Sequence, residues 1–178
     1  MTSKKRASGA GAAVLYGGKD PRELGRYTYD EAERATGVPS TTIAAWVRGQ
    51  EYPVKHGKGF FVPLIIRPET EGRLSFNNLI EVHVLRSIRV RHKTKLQKVR
   101  DALVVAQEQC DVPRLLINRQ LRFDAGGLFL DRITELLSLN NVEQINMREM
   151  LNESLDRIDY GEDDLPRDFF PVERSIRN

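Results

Sequence analysis

Residues 28–49, TYDEAERATGVPSTTIAAWVRG, contain two helix-compatible segments on either side of Gly37-Val38-Pro39-Ser40. Gly37 can adopt the left-handed backbone conformation that ends a helix at little steric cost. Pro39 has no backbone N–H and disfavours the helical conformation for Val38, so one helix cannot continue through this point. Ser40 is a residue type that caps the start of a new helix. We therefore predict two helices joined by a tight turn.

The second predicted helix has one apolar face and one face of short side chains. Ile43, Trp46 and Val47 recur at helical spacing and are predicted to face the core. The outward residues, taken with the capping serine, are Ser40, Thr41, Thr42, Ala45 and Arg48. Short side chains let a helix enter a DNA groove and a long cation can contact a base edge, so one interpretation is DNA binding. The alternative is a structural corner, since helix-turn-helix pairs also occur as such.

Two β-favouring runs follow, around residues 52–54 and 60–66, and they flank His56-Gly57-Lys58-Gly59. This pattern predicts a β-hairpin with a glycine-rich, cationic tip. Placed directly after a DNA-contacting helix, such a hairpin is a wing, and His56 and Lys58 would contact phosphates. The alternative is a surface hairpin whose cations have no ligand.

The net charge of +3 conceals an asymmetry along the chain. Residues 1–100 contain 19 Lys and Arg against 9 Asp and Glu, whereas residues 101–178 contain 9 against 16. The front part is therefore at +10 and the rear part at −7. A cationic front favours a phosphate-bearing partner such as nucleic acid, and ordinary solvated surface is the alternative.

Residues 73–112 show helical periodicity on both sides of a break near residues 91–94. The apolar stripes are Leu79, Val82, Leu85 and Ile88, then Leu96, Val99, Leu103 and Ala106. Residues 82–100 contain no acid. We predict a second helix-turn-helix-like region in which Lys93, Lys95 and Lys98 meet phosphate, with a solvated helical face as the alternative.

Residues 113–178 are predicted to form a C-terminal α/β region that binds a partner. A short hairpin is expected around residues 124–127, and an amphipathic helix over residues 142–157 through Val142, Ile145, Met150, Leu151 and Leu155. The predicted partner-binding residues are Tyr160, Leu165, Phe169, Phe170, Arg174 and Arg177. Aromatic residues in a short, proline-bounded acidic segment favour docking to a partner, and the alternative is a C-terminal strand that completes the protein's own core.

Several function classes are not expected. His56, His83 and His92 lack metal-ligand spacing, and the single Cys110 cannot form an intrachain disulfide, which favours a cytoplasmic location. No nucleophile–base pair, carboxylate pair or cofactor loop is recognisable, so neither an enzyme nor a cofactor is expected. The first residues, MTSKKRASGAGAAVLYGGKD, are predicted to form a flexible basic tail over residues 1–25 rather than a secretory signal, and no apolar run predicts a membrane span.

The segment YTYDEAERATGVPSTTIAAWVRG resembles the N-terminal helix-turn-helix of MerR-like winged proteins. The later segments LSFNNLIEVHVLRSIR, LQKVRDAL, LFLDRI and IDYGEDDLPRDFFP resemble VapB-type antitoxins that pair this layout with a small C-terminal domain of unknown function. The resemblance covers residues 26–171 and implies a cytoplasmic, nucleoid-associated antitoxin that represses its own operon and neutralises a PIN-like ribonuclease. It places Thr41, Thr42, Ala45 and Arg48 on the recognition helix and residues 56–58 on the wing.

One departure from MerR activators concerns the recognition helix, which continues as AAWVRG rather than with an Arg-Tyr-Tyr-type sequence. No long coiled-coil helix follows, which argues against metal or drug sensing. Two functions stay open: a DNA-binding antitoxin, and a stand-alone MerR-like transcriptional regulator with a small-molecule-sensing rear domain. Both predict double-stranded operator DNA as a ligand and a homodimer as the binding unit.

The expected fold class is mainly α with small β-hairpins, that is α+β. A winged helix-turn-helix domain is expected over residues 26–72. The second helical region over residues 73–112 and the C-terminal region over residues 113–178 would follow it.

Overall fold

The structure is a computed structural model that describes residues 17–68, 70–89 and 96–171. In these ranges the chain is mainly helical, with two small antiparallel hairpins, which confirms the expected mixture of elements. The elements are α1 Tyr29–Thr36, α2 Ser40–Arg48, β1 Gln50–Val54, β2 Gly57–Phe61, α3 Phe76–Arg89, α4 Leu96–Cys110, α5 Asp124–Leu137, α6 Asn141–Leu155, β3 Ile158–Tyr160 and β4 Pro166–Phe169. Short 3₁₀ turns lie at Pro21–Glu23, Leu115–Ile117 and Arg119–Arg122.

Helix α3 lies at the centre of the molecule. Eleven of its 14 residues are buried, including the polar residues Asn77, Asn78, Glu81 and His83. It packs against α1 on one side and α6 on another, and it also contacts the turns at Pro21–Glu23 and Leu115–Ile117. A helix that is covered all round belongs to the interior, so α3 organises both the front and the rear of the chain.

Helix α4 does not pair with α3 as a second helix-turn-helix. Its chief packing partner is α5, and it buries Val99, Ala102, Leu103 and Ala106. The predicted second helix-turn-helix-like region is therefore wrong, because the apolar stripes of α3 and α4 are covered by different elements. Lys93, Lys95 and the predicted break lie outside the described residues.

The hairpin predicted around residues 124–127 is also wrong. The chain makes the 3₁₀ turn Arg119–Arg122 and then enters α5 directly. A Cβ atom at Gly126 would lie 1.7 Å from the backbone oxygen of Leu121, so this glycine allows the helix to pass close to the preceding turn. The glycine pair marks close packing here rather than a reversal of the chain.

Residues 17–25 are not the free tail that the sequence predicted. The Arg22 guanidinium pairs with Asp20 at 2.7 Å and with Asp163 at 2.6 Å. Asn77 Nδ2 donates to Glu23 Oε1 at 2.7 Å. These contacts hold the segment against α3 and the C-terminal hairpin, while residues 1–16 lie outside the described part of the chain.

A polar network surrounds Glu81 beneath α3. Its carboxylate lies 3.1 Å from Arg114 Nη2 and accepts a hydrogen bond of 2.9 Å from Asn78 Nδ2. Arg114 also pairs with Glu23, and Asn78 Nδ2 donates to the Ile66 oxygen at 2.7 Å. Burial raises the pKa of Glu81, so Arg114 is needed to compensate its charge. The network joins the N-terminal turn, the chain after the first hairpin and the rear half.

Helix α6 confirms the helix predicted over residues 142–157, and the predicted apolar stripe is buried only in its later part. Val142 and Ile145 are exposed, whereas Met147, Leu151 and Leu155 are buried. Asn140 caps the helix by accepting from the Glu143 N–H at 3.0 Å. The predicted stripe was wrong in the first turns because α3 and α5 cover only the later part of the inward face.

His83 connects α3 to the end of α6. Its Nε2 lies 2.9 Å from the Ser154 backbone oxygen, and since that oxygen can only accept, Nε2 carries the proton and donates. Its ring centroid is 4.8 Å from that of Phe169. Burial is the largest cause that lowers the pKa of His83, so the ring is neutral near pH 7.

This gives a pH dependence of stability. Because the folded-state pKa of His83 is below the unfolded value of about 6.5, the unfolded chain takes up a proton first and stability falls as pH drops below about 6.5. Between pH 7 and 5.5 we expect this group to lower the free energy of unfolding, as measured by urea denaturation.

The matched variants are His83→Gln, whose amide can keep the donation to Ser154, and His56→Gln on the exposed hairpin tip. The first should reduce the acid-induced loss and the second should leave it unchanged. Equal pH profiles in parent and His83→Gln would contradict the assignment.

Candidate nucleic-acid interface

Helix α1 begins and ends as its sequence predicts. The Glu31 N–H donates to Thr28 Oγ1 at 3.2 Å, and the Thr28 N–H donates to Glu31 Oε2 at 2.7 Å, which is a reciprocal capping box. Gly37 has φ 73° and donates its N–H to the Glu33 oxygen at 2.7 Å. The left-handed glycine therefore ends α1 at the predicted residue.

Helix α2 starts one residue after Pro39, and its first amide is capped by α1. The predicted Ser40 cap is wrong: Ser40 is already helical, and its N–H donates to Glu33 Oε2 at 2.8 Å. The carboxylate takes the place expected for a serine hydroxyl. Val38 is 5% exposed and fills the corner between the helices. A side chain of one helix thus fixes the start of the other.

The two faces of α2 divide as predicted. Ile43, Trp46 and Val47 are buried in the core. Thr41 and Arg48 are exposed, while Ser40, Thr42 and Ala45 are half-buried. The Arg48 guanidinium carbon lies 5.4 Å from the ring centroid of Tyr29, a cation–π distance. The outward face of α2 therefore carries short side chains along most of its length and one long cationic side chain, Arg48, at its C-terminal end.

The first hairpin pairs β1 with β2 in antiparallel register from Gln50↔Phe61 to Val54↔Gly57. The rings of Tyr52 and Phe61 are 4.3 Å apart and cover one face of the hairpin.

The hairpin carries exposed cations at its tip. Lys55 and His56 are exposed there, and Lys58 Nζ lies 2.7 Å from Glu51 Oε2. This ion pair is mostly solvated and weak, so a phosphate can displace Glu51.

The hairpin is held against α2 by backbone contacts. The N–H groups of Leu64 and Ile65 donate to the Trp46 oxygen at 2.9 and 3.2 Å. Gly49 has φ 80°, and a Cβ atom there would lie 2.3 Å from the Phe61 oxygen. The predicted hairpin is thus confirmed and has a fixed position beside α2.

Two arginines of α3, which were not among the predicted DNA-binding residues, lie against this helix pair. The Arg89 guanidinium carbon is 5.6 Å from the Trp46 ring centroid. The Arg86 guanidinium carbon is 3.5 Å from the Cβ position of Gly37, in the turn between α1 and α2. Both residues belong to residues 82–100, whose lack of acids indicated a cationic surface in the sequence. Their positions beside α1 and α2 depend on how α3 packs.

Lys98, one of the three lysines predicted to meet phosphate, is not brought to this surface. Lys98 Nζ donates to the Leu136 oxygen near the end of α5, so it caps that helix. Lys93 and Lys95 lie outside the described residues. The candidate interface consequently consists of the outward face of α2 and the tip of the first hairpin.

Three of the four predicted partner-binding residues that the structure describes pack against the protein's own core. Tyr160, Leu165 and Phe169 pack against it, as the alternative interpretation expected, and burial raises the pKa of Tyr160 to about 12. Their apolar surface is used inside the protein, where β4 packs against α3 and the Phe169 ring lies against that of His83. Phe170 is 53% exposed. Arg174 and Arg177 lie outside the described residues.

The described ranges also bear on metal binding and on membrane insertion. They contain no group of three or more His, Cys, Asp or Glu side chains placed to hold a metal ion. None of their helices has the length and apolar character needed to cross a membrane.

Gly49 gives a prediction about the hairpin. Gly49→Ala should lower the free energy of unfolding by about 1–3 kcal/mol more than Gly72→Ala, because the new Cβ meets the Phe61 oxygen while Gly72, at φ 72°, has nothing within 4 Å. Both variants carry the strain of a positive φ, so the difference isolates the contact. Equal denaturation midpoints would contradict the close packing of the hairpin on α2.

Comparison of the chain with protein-family models, with curated proteins and with solved structures gives no match. The candidate interface therefore rests on its own residues and geometry.

Proposed function

We propose that this chain is a sequence-specific regulator of transcription that binds double-stranded DNA through a winged helix-turn-helix. In this proposal α1 and α2 form the helix pair and β1–β2 form the wing. The observation that carries the proposal is the outward face of α2, where Thr41 and Arg48 are exposed on a helix whose other face is buried. The neighbouring Glu33 cap and the backbone bonds to Trp46 support it by fixing α2 and the hairpin in one arrangement.

The proposed binding mode places α2 in the major groove. Thr41 is exposed in the first turn of α2, where its hydroxyl can donate to a phosphate oxygen. Arg48, at the other end, reaches a base edge, while Lys55, His56 and Lys58 contact the phosphate backbone. A homodimer on two half-sites one helical turn apart supplies the affinity that a single module lacks.

Arg48 tests base recognition. Arg48→Ala should cost about 1–3 kcal/mol on a duplex selected from a randomised library and should reduce preference for that duplex over random DNA. Fluorescence anisotropy at fixed salt measures both quantities. Arg148→Ala on α6, an arginine of similar exposure paired only at 3.9 Å with Asp131, is the matched control. A parent-like Arg48→Ala variant would refute the proposed role of α2.

Lys58 and Glu51 test the wing. Lys58→Ala should weaken binding to all duplexes alike. It should also reduce the slope of log K against log salt concentration by about 1, the contribution of one phosphate contact. Glu51→Ala should strengthen binding modestly, because it removes the competing carboxylate and a like charge facing DNA. If both variants change affinity in the same direction, the hairpin does not contact the backbone in this way.

Neutralisation of a PIN-like ribonuclease is proposed as the biological setting. Its support is the resemblance to VapB-type antitoxins and the exposed Phe170 next to the C-terminal residues Arg174 and Arg177. Truncation after Asp159 would remove β4 and part of the core, so Phe170→Ala is the sharper variant. Co-expression with a PIN-like toxin should show growth rescue by the parent and weaker rescue by this variant, with DNA affinity retained. Equal growth rescue by the parent and by Phe170→Ala would show that Phe170 does not contact the toxin.

A stand-alone regulator with a small-molecule site is the second candidate, and one observation favours it. A cavity of about 620 Å³ lies between α3, the end of α6 and Phe170. Its volume falls in the range of pockets for small molecules. Failure of the chain to neutralise any adjacent PIN-like toxin, together with ligand-dependent DNA binding, would favour this candidate over the antitoxin.

A further inference from the structure

The cavity behind α3 is lined by side chains of both signs and by two apolar side chains. Helix α3 contributes His83, Arg86 and Ser87. The end of α6 and the residues after it contribute Met150, Glu153, Ser154, Asp156 and Arg157, and Phe170 completes the wall. The proposed DNA-contacting face uses none of these residues, so the cavity needs a separate explanation.

Arg86 and Arg157 are half-buried and line this cavity. In the described part of the chain, neither guanidinium forms an ion pair or a hydrogen bond. Each offers five N–H donors in a planar fork, and leaving these donors partly desolvated and unpaired is unfavourable. After burial, which is the largest cause, the positive charges of Arg86 and Arg157 also lower the pKa of His83, so both charges lie near this ring.

The acids that line the cavity do not cancel this charge. Asp156 Oδ1 already pairs with Arg122 Nη1 at 2.8 Å. Glu153 is exposed on the rim, where it can accept hydrogen bonds from the hydroxyl or amino groups of a ligand. Met150 and Phe170 offer apolar surface to the organic part of the same ligand.

We propose that this cavity binds a small organic phosphate monoester, with Arg86 and Arg157 donating to its phosphate oxygens. Three terminal oxygens and two negative charges match two arginine forks better than a single carboxylate does. Glu153 then contacts a polar group of the organic part, and Met150 and Phe170 cover its apolar surface.

The site also has a physical connection to the turn between α1 and α2. Arg86 lines the cavity, and its guanidinium carbon lies 3.5 Å from the Cβ position of Gly37. A bound phosphate draws this guanidinium toward the cavity and alters its packing on the turn that orients α2. Occupancy therefore changes DNA affinity, and this consequence rests on the proposed DNA-binding function.

Ligand binding is tested first without DNA, by NMR of the full chain. Inorganic phosphate and adenosine monophosphate are titrated at constant ionic strength while the ring signals of His83 and His56 are followed. We expect saturable shifts of the His83 signals with both probes, and at least about tenfold tighter binding of the monophosphate, since apolar contact adds about 1.4 kcal/mol or more. Shifts confined to His56, or no saturation at His83, would overturn the proposal.

Variants separate this cavity from other cationic surfaces. Arg157→Gln should weaken the monophosphate at least about tenfold, the equivalent of about 1.4 kcal/mol, whereas Arg148→Gln on the exposed face of α6 should leave it unchanged. Arg86→Gln should weaken binding of the monophosphate to a similar extent, and this variant is the test if Arg157→Gln does not fold. Parent-like affinity in a folded Arg157→Gln or Arg86→Gln variant would overturn the site.

The regulatory consequence has its own readout. DNA affinity is measured with and without saturating adenosine monophosphate at matched ionic strength, and a change of about threefold or more is expected in the parent but not in Arg157→Gln. An unchanged affinity would overturn the coupling. Complete absence of DNA binding would instead refute the proposed function, while the NMR titration would still decide whether the cavity binds phosphate.

Discussion

Helix α3 is enclosed by other elements along almost its whole length, so its polar side chains are cut off from water and need partners inside the protein. Glu81 binds Arg114 and Asn78, and His83 donates to the Ser154 oxygen. Arg114 and Ser154 are distant from α3 in the sequence, and Asn78 also donates to the oxygen of Ile66. The burial of one helix therefore brings the N-terminal turn, the first hairpin, α6 and the C-terminal strands into a single arrangement.

The same enclosure determines what the surface can do. Arg89 and Arg86 extend from the end of α3 to Trp46 and to the turn at Gly37, so the pair α1–α2 lies on a support that reaches the rear of the molecule. The Glu33 cap and the backbone bonds to Trp46 then fix α2 and the hairpin to each other. A surface of this kind loses little conformational entropy when it binds a rigid partner, which favours specific binding over loose electrostatic contact.

Local signals in the sequence were sufficient for the front of the chain. Gly37, Pro39 and Gly57 act through their own backbone conformation, and the structure has the predicted helices and hairpin there. Signals that depend on distant neighbours failed. Gly126 allows close approach to the Leu121 oxygen rather than a turn, and the cap expected from Ser40 is supplied by Glu33 on another helix. The exposure of Ile145 likewise depends on which elements cover α6, and periodicity alone does not contain that information.

The charge asymmetry of the chain has a different meaning in the folded structure. Several rear acids are paired with arginines: Asp163 with Arg22, Asp156 with Arg122, and Asp168 with Arg167. These acids help to assemble the molecule: the pair with Arg22 joins the rear to the front, while Arg122 and Arg167 belong to the rear and are already counted in its net charge of −7. The exposed cations of the front, Arg48 and Lys55, remain at the surface, while Arg86 and Arg157 lie in the cavity. Pairing thus leaves positive charge at two separate places, a convex surface that suits a DNA backbone and a concave one that suits a single phosphate.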